Sequence, residues 1–220
     1  MRTRPAVSLC LLLLLGLAGC AGFRGGWESF AYLGDTPPDT RGLAELPEFS
    51  RPPLVASGLE LAVTLDNSLR TYDTHLYLFV LPLYVSPRPV YFDNRTPGRT
   101  RVYITVTPRV PGFVFRPQQA VLGFANRRFT GSAGFEFAQW DAQGKAATQA
   151  GRWEHQPRQD GFVLGEVGRR YLLSIDFATP VPSPELHDIT VDLSQALSAP
   201  DQPPLPPIRF VPLRWKQGYT

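Results

Sequence analysis

Cysteine is almost missing from this chain. There are two in 220 residues, Cys10 and Cys20, and none follows. Past position 20 there can be no disulfide, thiol nucleophile or cysteine-ligated metal. Lysine is nearly absent as well, with only Lys145 and Lys216, so arginine carries the positive charge. With 22 basic and 19 acidic residues the net charge is +3, too little to argue for nucleic acid. The three histidines, His75, His155 and His187, show no short metal-ligand spacing. No apolar run reaches the roughly 20 residues that a membrane-spanning helix needs.

Proline is abundant instead: 23 residues, about twice the usual share of roughly 5%. Prolines recur along most of the chain, which excludes long helices. Strand periodicity fills the gaps between them. Leu59, Leu61, Val63 and Leu65 alternate with Glu60, Ala62 and Thr64. Residues 101–107 and 171–177 alternate in the same way. Residues 76–85 are apolar throughout, which predicts a central strand apolar on both faces and broken or bulged at Pro82; a second face left uncovered by the chain would be an interaction site. Shorter strands are expected at 113–115, 120–124, 189–193 and 208–215, and a hairpin from residue 135 through Gly144. Tyr171 stands where a tyrosine-corner residue would open its strand. The sum is eight or nine short strands and almost no helix. That predicts an all-β fold, an antiparallel immunoglobulin-like β-sandwich, with a β-barrel as the alternative.

The N-terminus has a different character. Arg2 and Arg4 precede an apolar stretch, residues 6–15, and then Leu17-Ala18-Gly19-Cys20. This is the layout of a secretory signal peptide. The last four residues match the lipobox, and the segment resembles those of bacterial lipoproteins. The resemblance covers residues 1–20 only. It implies cleavage before Cys20, diacylglycerol on its sulfur and acylation of the new amino group. With Ala21 rather than Asp after the cysteine, it implies the periplasmic face of the outer membrane. Without residues 1–19 the net charge is +1. Residues 20–53, rich in glycine and proline without sustained periodicity, read as a tether, with a short helix conceivable over 41–49. Residues 54–220 read as the β domain.

Candidate chemistry is sparse. Asp73 and His75 would share a strand face, His187 and Asp188 would point oppositely, and His155 reads as part of an exposed loop. Gly131-Ser132-Ala133-Gly134 has the outline of a nucleophile elbow but lacks the strand-to-helix setting, and reads as a hairpin bend. Glu60, Glu136 and Asp176 fall on polar strand sides, where solvation is expected. Arg95, Arg99 and Arg101, with the doublets Arg127-Arg128 and Arg169-Arg170, could hold carboxylate or phosphate, or simply protect edge strands. Tyr72, Tyr77, Tyr84, Tyr91, Phe92 and Tyr103 could fill a core or bind sugar rings. Trp140 and Trp153 are expected to pair across their hairpin.

These readings predict no enzyme, no catalytic or metal-binding residue and no cofactor. The expected function is a non-catalytic envelope lipoprotein, held to the membrane by lipid on Cys20 and contacting another envelope protein. The alternative is a glycan- or lipid-binding module, and the least favoured reading is a periplasmic hydrolase.

Overall fold

The computed structural model describes residues 21–41, 43, 51–76, 82–86, 90–91, 96–140 and 151–219. The signal segment, Cys20, most of 41–49 and the hairpin tip with Gly144 lie outside them. The described strands are β1 (Ala21–Tyr32), β2 (Leu54–Ala56), β3 (Leu59–Leu65), β4 (Leu69–Leu76), β5 (Pro82–Ser86), β6 (Val90–Tyr91), β7 (Thr100–Pro108) and β8 (Val114–Phe115). They continue as β9 (Val121–Phe124), β10 (Arg127–Trp140), β11 (Arg152–Arg158), β12 (Phe162–Val163), β13 (Tyr171–Phe177), β14 (Thr190–Asp192), β15 (Leu197–Ser198) and β16 (Ile208–Tyr219).

The fold is all-β, and every strand pairing described is antiparallel. It is not divided into the two separate sheets of an immunoglobulin-like sandwich. One continuous path runs β2-β3-β7-β13-β10-β9-β14-β16-β1-β4-β5, with β11 and β6 attached at its side. The path curls until β1 packs against β3, which brings the architecture near a barrel. The physical reason is β10, whose first residues pair with β9 and whose later ones pair with β13 and β11. The register shifts between Gly131 and Ala133. There β10 crosses the 3₁₀ turn Pro117–Gln119, and a Cβ on Gly131 would lie 2.1 Å from the Pro117 carbonyl oxygen. Gly131-Ser132-Ala133-Gly134 is therefore a mid-strand corner, not a hairpin bend.

Burial follows the alternation. On β3 and β7 the apolar residues face one core, together with Leu173 and Ile175 of β13, Leu122, Val191 and Phe210. A small sheet, β12-β8-β15, carries Phe115 and Leu197 onto that core. The Tyr171 Oη accepts a hydrogen bond from the Glu166 N–H at 3.0 Å, the upstream closure that a tyrosine corner makes.

Two expected elements change. Residues 21–32, read as part of a tether, form β1, which pairs with β16 on one side and β4 on the other. Gly25 and Gly26 serve close approach here, since added Cβ atoms would meet the Tyr72 hydroxyl at 2.5 Å and the Leu69 carbonyl oxygen at 1.8 Å. Residues 76–85 are not one strand: Leu76 ends β4, and Pro82 opens β5 opposite it beside a register shift.

Candidate functional site

Period-two geometry gives the sheet an outer face as well as a core face. On β7 that face carries Arg101, Tyr103, Thr105 and Thr107. Across the ladder, Thr64 pairs with Tyr103, Ala62 with Thr105 and Glu60 with Thr107. On the other side Ser174 stands opposite Tyr103 and Leu172 opposite Thr105. Beyond them come Phe135 opposite Ser174, and then Pro157, His155 and Trp153 of β11 opposite Phe135, Phe137 and Gln139. Strands about 4.8 Å apart with side chains about 6.8 Å apart make this a face roughly 19 Å across.

Two charge clusters flank β10: that of Asp176 on this outer face, and that of Glu136 on the reverse face, since Glu136 lies between Phe135 and Phe137 and stands opposite Leu173. Asp176, 6% exposed, accepts from Arg101 Nε at 2.5 Å and Nη2 at 2.8 Å, and Arg99 approaches at 3.3 Å. The Arg101 guanidinium lies 4.8 Å from the Phe135 ring centroid. Glu136, 4% exposed, accepts from Arg158 Nε and Nη2 at 3.0 and 2.9 Å, with Arg169 4.0 Å away. The expectation of solvated carboxylates is corrected for both, because arginines from neighbouring strands bury them as paired ions. Much of the arginine content is spent the same way. Arg127 covers Phe129, and Arg169 also holds Glu166.

On the outer face lies a cleft of about 520 Å³, walled by Tyr103, Phe137 and His155 with Thr64, Thr105 and Asp66 around them. Ser29 and Glu28 of β1 close it from the opposite side, a consequence of the curl. His155 is thus on a strand and in the cleft, not in a loop. Its ring stands 4.7 Å from that of Phe137 at 41°, and Trp153 stands 5.4 Å from Phe137 at 33°, so the row is tilted rather than coplanar. Partial burial, helped by the Arg101 charge and opposed by Asp176, holds the His155 imidazole below its usual value. Burial, then the Asp66 carboxylate, push the Tyr103 phenol upward, while Arg101 pulls it back. At neutral pH the cleft therefore offers a neutral imidazole and a phenol hydroxyl beside threonine hydroxyls.

The other candidates disperse. Trp140 and Trp153 do not pair. Register puts Arg152 opposite Trp140 and Gln139 opposite Trp153, so the two indoles take different environments. Trp140 is 4% exposed, with its N–H donating to the Glu154 carbonyl at 3.0 Å, and Trp153 is 56% exposed. Asp73 lies on β4, paired with Arg70 at 2.8 Å, and the His75 backbone sits two residues on. Asp188 accepts from the Ala125 N–H at 2.6 Å, with His187 exposed beside it. Arg95, Tyr77, Phe92 and Cys20 lie outside the described residues. Among the described residues no three His, Cys, Asp or Glu side chains are placed to hold a metal, and no helix is long and apolar enough to cross a membrane. The sequence signal for the cleft was the outward set Tyr103, Thr105 and Thr107. Its partners Phe137 and His155 are brought in by the β10–β11 register, which residue spacing alone does not carry.

No known family, curated protein or solved structure matches this chain.

Proposed function

We propose that the chain is a lipid-anchored envelope module that binds glycan, without chemistry, on the outer face of β3, β7, β13, β10 and β11. The observation that carries the reading is the cleft walled by Tyr103, Phe137 and His155. Sugar rings present an apolar face and a rim of hydroxyls. The cleft supplies both partners: aromatic rings for the face, and Thr64, Thr105 and the carboxylate of Asp66 for the rim. Its volume falls in the range of pockets that take small ligands, roughly 300–1,000 Å³. Hydroxyls and carboxylates alternate with apolar side chains along its wall, a mixture that a sugar ring uses and an acyl chain does not, which favours glycan over lipid.

The assembly reading rested on the apolar residues 76–85, part of which lie outside the described residues, so the cleft has the stronger support. The anchor stands on the lipobox residues Leu17 to Cys20 and on nothing in the fold. β1 begins at Ala21, directly after Cys20. A lipidated Cys20 would therefore hold the β1–β16 ribbon against the membrane rather than trail a long tether.

Isothermal titration of the purified full-length protein in mild detergent against oligosaccharides tests the binding. Phe137→Ala is expected to weaken binding about tenfold or more, the worth of roughly one stacked ring. Unaltered affinity in a folded Phe137→Ala variant would contradict the site.

A further inference from the structure

The cleft does not end at Thr105. A second groove of about 450 Å³ shares that residue and continues past Ala62, Glu60 and Thr107 to Arg170 and Arg51. The two share one sheet face: Tyr103, Thr105 and Thr107 follow one another on β7, and their partners Thr64, Ala62 and Glu60 follow on β3. From Tyr103 to Thr107 the strand covers roughly 14 Å, enough for two or three linked sugar rings.

The two ends differ in charge. Beside Tyr103 and His155 stands the Asp66 carboxylate, and no arginine lines that cleft. In the far groove the acid is Glu60, which accepts from Arg109. Arg51, on the wall of that groove, donates to Glu28 of the first cleft. The Arg51 Nε is buried and finds no hydrogen-bond partner among the described residues. Arg170 is exposed, and no carboxylate of the described residues pairs with it. This contrasts with Arg101, Arg158 and Arg169 nearby, each of which holds an acid. An unspent guanidinium on a groove wall presents a planar fork of donors that matches a carboxylate.

We propose that the ligand is an acidic oligosaccharide, at least two rings long. One ring stacks in the Tyr103–Phe137–His155 cleft and a carboxylate of a following ring meets Arg170, with Arg51 behind it. This rests on the glycan reading and adds its charge and polarity. Binding is sequential along β7, with the neutral, hydroxyl-bonded ring at the Tyr103 end and the charged ring at the Thr107 end.

The test uses tetragalacturonic acid and its fully methyl-esterified form, which keeps the rings and removes the charge. Both are titrated against the full-length protein in mild detergent. The free acid is expected to bind about tenfold more tightly, the worth of one charge-assisted pair, and the advantage should shrink as salt is raised. Arg170→Ala is expected to erase that advantage, bringing the free acid down to about the ester's affinity. Phe137→Ala is expected to weaken both. Equal binding of acid and ester by the unaltered protein would overturn the acidic class while leaving the glycan reading intact. An advantage that survives Arg170→Ala would overturn Arg170 as the residue that meets the carboxylate. Failure of both probes to bind would count against the glycan reading itself.

Discussion

Ser174 sits between Tyr103 and Phe135 in the ladder, 1% exposed, and its Oγ has no hydrogen-bond partner among the described residues. An orphaned buried hydroxyl costs on the order of 1–3 kcal/mol. Ser174→Ala is therefore expected to leave thermal stability unchanged or raise it, and a fall of several degrees would mean that the hydroxyl is satisfied. Asp176 is the opposite case. Its removal strands Arg101, 13% exposed, and the more open Arg99. Asp176→Ala is expected to cost about 3 kcal/mol, reduced by whatever water recovers around Arg99, as read from urea denaturation. His155 gives a pH signature. The folded protein holds this proton less tightly than the unfolded chain does. The penalty is absent above the ordinary histidine value of about 6.5 and accumulates as the pH falls below it. Melting temperatures between about pH 7.5 and 5 should thus fall more steeply in the native protein than in His155→Gln. At this scale the sequence was half legible. Alternation turned Tyr103 and Thr105 outward correctly. It could not show that Arg101 and Arg158 would reach across strands and bury Asp176 and Glu136.

The elements β3, β7 and β13 could be read from their alternating residues, because each forms one regular ladder with a single core face. β1 could not. Its glycines look like linker composition, yet Gly25 and Gly26 are where the Tyr72 hydroxyl and the Leu69 carbonyl press against the strand. Gly26→Ala is expected to cost on the order of 3 kcal/mol or more, since backbone must move to admit the methyl group. β1 also lies between β16 and β4, eleven and seven residues in register respectively. Deleting residues 21–32 should therefore abolish the cooperative thermal transition seen by circular dichroism. A tether, by contrast, could be removed without effect. β10 hid its role for a related reason. A register shift at Gly131 is a property of the crossing with Pro117, and nothing in the local pattern marks that crossing.

At the scale of the molecule, the curl makes the cleft. Ser29 and Glu28 come from near the chain's start and Thr64 from the next strand pair. Phe137 and His155 come from a hairpin in the second half. The address is independent of all this. Fatty-acid labelling is expected to be lost in Cys20→Ala while the protein's melting temperature, measured after extraction, is unchanged. The central claim is glycan binding on the outer face, and amide chemical-shift mapping with an oligosaccharide probes it most directly. Shifts are expected to concentrate at Thr64, Tyr103, Thr105, Phe137 and His155, and to fade toward the β1–β16 ribbon. Saturating ligand that moved none of these, or that moved the ribbon instead, would contradict the account.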